Sequence, residues 1–233
     1  MELRADFDRR EVVRPGDQAW QPSPTAGAER YLLDHVGGEE VARETSIVWY
    51  AGGARFSADV HRGSEEFLVL AGSIHDGAVD YSEGTYVRNP IGTARPRWAG
   101  TDGALVFVKL HQFAATDTQR VLIDTRAAAW HQGLVSGLTV LPLHEYASEH
   151  IALVRWAPST RFRPHQHWGG EEILVLEGVF QDEHGTYPKG SWLRSPHLSA
   201  HHPFTGPDGA LIYVKTGHLV PAWAERQPAR HTG

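Results

Sequence analysis

RFRPHQHWGGEEILVLEGVFQDEHGTYPKGSWLRSPHLSAHHPF, residues 161–204, decides how the rest of the chain is read. Its pieces EEILVL and SWLRS are short, apolar and bounded by glycine or proline, which marks strands rather than helices. Alternate residues of a strand face the same side. His165 and His167 therefore present two imidazoles to one face, the Gly169–Gly170 turn lets the next strand supply Glu171, and His201 follows after a further strand and turn. Three nitrogen donors with one carboxylate suit Fe²⁺, Zn²⁺, Mn²⁺, Ni²⁺ or Co²⁺, whereas Ca²⁺ and Mg²⁺ prefer all-oxygen shells.

Working outward, the same text is found a second time. Residue n of the first half falls on n+106 of the second without a gap: GSEEFLVLAG (63–72) on GGEEILVLEG (169–178), Tyr81 on Tyr187, and GTDGALVFVK (100–109) on GPDGALIYVK, with 23 identities over the 55 positions from Arg55 to Lys109. Shared composition does not produce that, so the chain is an internal duplication. Strands at 8–12-residue spacing in each half predict two all-β units of roughly 100 residues, barrels or sandwiches. The expected division is an extended N-terminal arm over 1–30, a first domain over 31–113, and a linker with the second domain over 114–233.

Composition narrows the function classes. The 233 residues include 24 glycines and 14 prolines, many turns and hence β structure, and no cysteine. Thiolate zinc sites, cysteine nucleophiles and iron–sulfur clusters are thereby excluded. A net charge of -6 with scattered lysines and arginines argues against nucleic acid or an anionic membrane as partner. No apolar run approaches the roughly 20 residues of a membrane span, and the charged N-terminus lacks the apolar segment of a signal peptide, so a cytoplasmic location is expected. The expected partner is a small-molecule substrate or ligand, with homodimerisation left open.

His165-x-His167-x3-Glu171-x6-Gly178, with Tyr187-Pro188-x-Gly190 leading to His201, resembles the two cupin motifs, and the wording of 169–196 resembles the ChrR-like branch of that family. The branch includes the cupin domain of ChrR-type anti-sigma factors and dihydroxyacetophenone-type dioxygenases. The resemblance implies two tandem jelly-roll barrels, a bicupin, with one divalent transition metal inside the second, held by His165, His167, Glu171 and His201, Fe²⁺ being favoured. Glu172 and His202 have the wrong parity to join them. His184 and His197 are read as solvated, and His111, His144, His150 and His218 as structural.

Shifting the four ligands back by 106 gives Asp59, His61, Glu65 and Arg95. A guanidinium stays protonated and cannot bind metal. The first site is therefore expected to be metal-free, with Arg95 neutralising Asp59 and Glu65. Glu66, Arg88 and Lys109 recur as Glu172, Arg194 and Lys215, and are expected to be framework ion pairs rather than chemistry. Phe162, Trp168, Phe180, Trp192, Phe204 and Tyr213 are candidates for an aromatic pocket, or for ordinary core. The expected activity is an iron-dependent dioxygenase acting on a small enolisable or phenolic ketone. The alternatives are a ChrR-like metal-binding sensor or regulatory module, and a Zn²⁺- or Mn²⁺-dependent isomerase or hydrolase.

Overall fold

A computed structural model describes residues 1–38, 42–56, 63–93 and 95–221. Among them every regular element is a β-strand. The chain divides into two compact units, residues 1–5 with 16–129 and residues 6–15 with 130–233.

In chain order, β1 (Glu11–Val13) belongs to the second unit. The first unit contains β2 (Gln21–Pro22), β3 (Ala28–Val36), β4 (Arg43–Tyr50), β5 (Arg55–Phe56), β6 (Glu65–His75), β7 (Asp80–Ser82), β8 (Thr85–Asn89), β9 (Arg97–Leu110) and β10 (Val121–Asp124). Its sheet runs β10-β8-β6-β9-β4-β3-β2, with β7 on β6 and β5 on β9. The second unit continues with β11 (His131–Gln132), β12 (Leu138–Tyr146), β13 (Glu149–Trp156), β14 (His165–His167), β15 (Glu171–Asp182), β16 (Gly185–Pro188), β17 (Trp192–Ser195), β18 (Ser199–His201) and β19 (Phe204–Thr216). Its sheet runs β1-β17-β15-β19-β13-β12-β11, with β16 on β15, and a separate ribbon pairs β14 with β18.

The two sheet orders correspond strand for strand, as a duplicated sequence requires. Even the irregularities repeat: β6 is bulged against β9 between Val69 and Ala71 and between Gly72 and Ile74, and β15 against β19 between Val175 and Glu177 and between Gly178 and Phe180. Bulges bend and twist a strand. Both units put them in the longest pair of strands, where a sheet must curl to enclose a core.

Alternation along these strands separates two buried faces. In the second unit Ile173, Val175, Phe180, Tyr187, Leu193, Ala210 and Ile212 form one apolar cluster. Their counterparts Phe67, Val69, Ile74, Tyr81, Val87, Ala104 and Val106 form the core of the first. On the opposite face Glu172 stands beside Arg194 and Lys215 across the ladder, and Glu66 beside Arg88 and Lys109. All six are buried, with Arg88 Nη1 3.0 Å from Glu66 and Lys215 Nζ 3.2 Å from Glu149. Desolvated charges persist only when paired, which accounts for the retention of these residues in both halves.

Candidate metal centre

The β14–β18 ribbon sets His165 directly opposite His201. His167 is two residues along β14 and shares the face of His165. Gly169 and Gly170 then both adopt φ of 71°, a left-handed conformation costly for other residues, and this tight turn delivers Glu171 as the first residue of β15. An added Cβ at Gly170 would meet the Ser195 carbonyl oxygen at 2.7 Å, so the turn also needs glycine for close backbone approach.

The four side chains converge. Ligand atoms of His165, His167 and His201 lie within 4.8 Å of one another. His167 Nε2 and His201 Nε2 are 3.0 Å apart, and the Glu171 carboxylate is 3.4 Å from the first and 3.5 Å from the second. His165 Nδ1 sits 3.0 Å from the Arg163 carbonyl oxygen, to which it can only donate, so its Nε2 keeps the lone pair. Two imidazole nitrogens facing each other at 3.0 Å fit poorly as bare acceptors. They fit well as ligands of one ion, since donors about 2.1 Å from a common centre and about 90° apart are separated by about 3.0 Å.

Burial lowers the pKa of His165, helped by the charges of His201 and Arg163. It lowers that of His167 as well, outweighing the attraction of Glu171. Both histidines are thus held neutral, the form that binds metal. For His201 burial is outweighed by Asp182 and Glu171, and its pKa rises. Asp182 itself is held well below the usual carboxylate range, because the His201 ring 3.6 Å away, the hydrogen bond from Tyr187 and the charge of Arg10 together overcome its burial.

Glu172 points to the other face, accepting from Trp192 Nε1 at 2.8 Å and lying 3.2 Å from His218 Nε2. His197 accepts from the Gly169 amide at 2.9 Å and so braces the turn ahead of Glu171. In the first unit Asp59 and His61 lie outside the described residues. Glu65 is buried, but its cation is Arg97 at 2.6 Å and not the expected Arg95, which is exposed. The reason is geometric: Arg97 is the first residue of β9 and points inward, its guanidinium 5.3 and 5.0 Å from the rings of Phe56 and Phe67, whereas Arg95 precedes Pro96 outside the strand.

A cavity of about 210 Å³ opens on the histidine cluster, walled by Leu134, Leu138, Val140, Val154, Trp156, Phe162, Phe180, Ile212 and Val214, with Thr216 and Pro203. Of the six aromatic candidates Phe162 and Phe180 line it. Trp192 and Tyr213 are buried on the opposite face, Trp168 is 51% exposed, and Phe204 lies against Arg161. Sequence reasoning missed the wall from β12 and β13, although the alternation in LTVLPL and HIALVRW carries it. It also missed Asp182 and Arg10, for which no local signal exists.

The profile of the ChrR Cupin-like domain matches residues 8–114 and again 118–220. The chain belongs to that family. No curated protein matches this cupin. Among solved structures it is similar to a candidate dioxygenase from Nostoc punctiforme, with 15% identity, 92% of this chain and 85% of that one covered, and a TM-score of 0.74. It is also similar to protein Ylba from E. coli, with 15% identity, coverage of 91% and 92%, and a TM-score of 0.67. An 11S globulin from Wrightia tinctoria follows, with 11% identity, coverage of 91% and 84%, and a TM-score of 0.60. Such identities show the cupin fold alone, and that fold serves a candidate enzyme and a globulin alike. No helix among the described residues of this cupin is long and apolar enough to cross a membrane.

Proposed function

We propose that the second unit binds one divalent transition metal through His165, His167, Glu171 and His201, and that with Fe²⁺ it is a dioxygenase-type oxidoreductase for a small enolisable or phenolic ketone. The observation that carries this reading is the meeting of a three-histidine, one-carboxylate cluster with an apolar cavity. Bound iron would supply the electron transfer toward O₂ that no side chain of this cysteine-free protein offers.

The chain's own residues do the remainder. The leucine, valine and phenylalanine walls hold the hydrocarbon body of a substrate and exclude water, and leave its oxygens at the polar end. At about 210 Å³ the space is below the roughly 300–1,000 Å³ of drug-sized ligand pockets, which suits a small molecule without a charged tail. Glu171 is the carboxylate available to take a proton from an enolisable substrate, because Glu172 faces away and Asp182 is committed to Arg10 and Tyr187. Scattered surface charge supports a protein that works without nucleic acid, and we read it as cytoplasmic.

Family membership favours a second reading, a metal-dependent sensor module. Anaerobic loading with Fe²⁺, addition of β-diketones and hydroxyacetophenones, and an oxygen electrode separate the two. Substrate-dependent O₂ uptake that is absent from Glu171→Ala supports the oxygenase. No uptake above that control, together with much tighter Zn²⁺ binding, would replace it with the sensor.

A further inference from the structure

Behind His201 lies a second buried arrangement. Asp182 ends β15, and its fully buried carboxylate places Oδ2 3.6 Å from His201 Nδ1 and 2.6 Å from Arg10 Nη2. Oδ1 accepts from the Tyr187 hydroxyl at 2.8 Å and from the amides of His184 and Gly185 at 2.8 and 3.0 Å. Arg10 Nη2 also donates to the Tyr187 hydroxyl oxygen at 2.8 Å. Arg10 directly precedes β1, which is pinned to β17 by the pairing of Glu11 with Arg194.

The first unit provides an internal control. Asp76, the counterpart of Asp182, caps the same turn, accepting from the amides of Ala78 and Val79 at 2.9 and 2.8 Å through Oδ1 and from Tyr81 at 2.6 Å through Oδ2. Turn capping is thus common to both halves. In the second unit the amides and the tyrosine all share one oxygen, leaving the other to Arg10 and His201. That redistribution occurs where position 201 is a histidine and not where its counterpart, Arg95, is an exposed arginine.

We propose that Asp182, backed by Arg10, is a positioning residue for the metal centre, holding His201 as the tautomer with its proton on Nδ1 and its Nε2 lone pair free for the ion. The inference rests on the metal reading above. A neutral imidazole has one donor and one acceptor nitrogen, and metal-binding histidines usually donate the other N–H to a carboxylate or carbonyl. His201 Nε2 faces His167 and Glu171, so a proton there would close the site. Arg10 offsets the charge of the buried carboxylate and fixes its plane. The β1 segment, more than 150 residues away in sequence, thereby becomes part of the centre.

Two measurements test this. In metal-free protein, at a pH high enough to leave the His201 ring neutral, nitrogen NMR of that ring should show the Nδ1–H tautomer, lost in Asp182→Asn. Zn²⁺ affinity, measured by chelator competition, should fall about 10–100-fold in Asp182→Asn, less in Arg10→Ala, and recover largely in Arg10→Lys. Asp76→Asn, which loses the equivalent acceptor for the tyrosine hydroxyl, should leave the affinity unchanged. If Asp182→Asn only melts earlier, as Asp76→Asn does, with tautomer and affinity as in the wild type, Asp182 is a turn cap and the proposal is wrong. Should Asp182→Asn fail to fold, the Arg10 series decides: equal affinity in wild type, Arg10→Ala and Arg10→Lys overturns it. If the wild type binds no ion, the metal reading fails, and the tautomer in the two variants still settles what Asp182 does to His201.

Discussion

Glu65 and Glu171 occupy the same position in the two repeats, and each is buried beside a different partner. Glu171 faces His167 and His201, while Glu65 is held by the guanidinium of Arg97 at 2.6 Å, both side chains only 4% exposed. Removing Arg97 leaves a carboxylate buried without its cation. Arg97→Ala should therefore destabilise the first unit by about 3–5 kcal/mol, and Arg95→Ala should stay within about 0.5 kcal/mol of the wild type. Denaturant unfolding of the two variants checks this, and equal effects would refute it. At the same scale, Tyr81 is pushed up to about 12 by burial and by its hydrogen bond to Asp76, against about 10 for a free tyrosine. The neutral phenol is the donor, so the stabilisation from this pair is whole below pH about 10 and is lost as pH rises through about 12. Tyr50 and Tyr187 are raised as well, so absorbance titration should show several late phenols, one fewer in Tyr81→Phe, and the stability of that variant should fall less over this window. A Tyr81 that ionises near pH 10, the ordinary value for a tyrosine, would contradict it.

Between residue and barrel, the bulges place the wall of the site. Gly178 has φ of 67° and Gly72 has φ of 73°, and a Cβ on either would overlap the carbonyl oxygen of Gly209 or Gly103 on the neighbouring strand. Gly178→Ala should cost at least the roughly 1–2 kcal/mol of a left-handed backbone, and should shift Phe180, two residues on, out of the cavity. Thermal melts report the first effect and weaker binding of an apolar ligand the second; a variant unchanged in both would mean that the bulge is plastic. These elements were readable in advance, because EEILVL and EEFLVL carry strand patterning, glycine punctuation and a constant offset of 106. The offset also explains one misassignment. It maps His201 onto Arg95, but the cation reaching Glu65 is two residues further on, because Arg97 enters β9 pointing inward and Arg95 stays outside the strand.

For the whole molecule, the duplication has kept the framework twice, while the three-histidine, one-carboxylate cluster belongs to the second unit. Strand order, bulges, the Tyr–Asp turn cap and the buried Glu–Arg–Lys trios recur in both units. His165, His167, Glu171 and His201 were legible because their donors are close in sequence and alternate on strands. The support behind them was not, because Arg10 meets Asp182 only after folding brings distant strands together. One transition-metal centre per chain, in the second unit, is the expected stoichiometry. Native mass spectrometry of protein purified without a histidine tag and dialysed against excess Zn²⁺ counts the bound ions. One ion per chain in the wild type, lost in His165→Ala and in His201→Ala but retained in His61→Ala, is the predicted result. Two tightly held ions, or a single ion that survives the loss of His201, would contradict it.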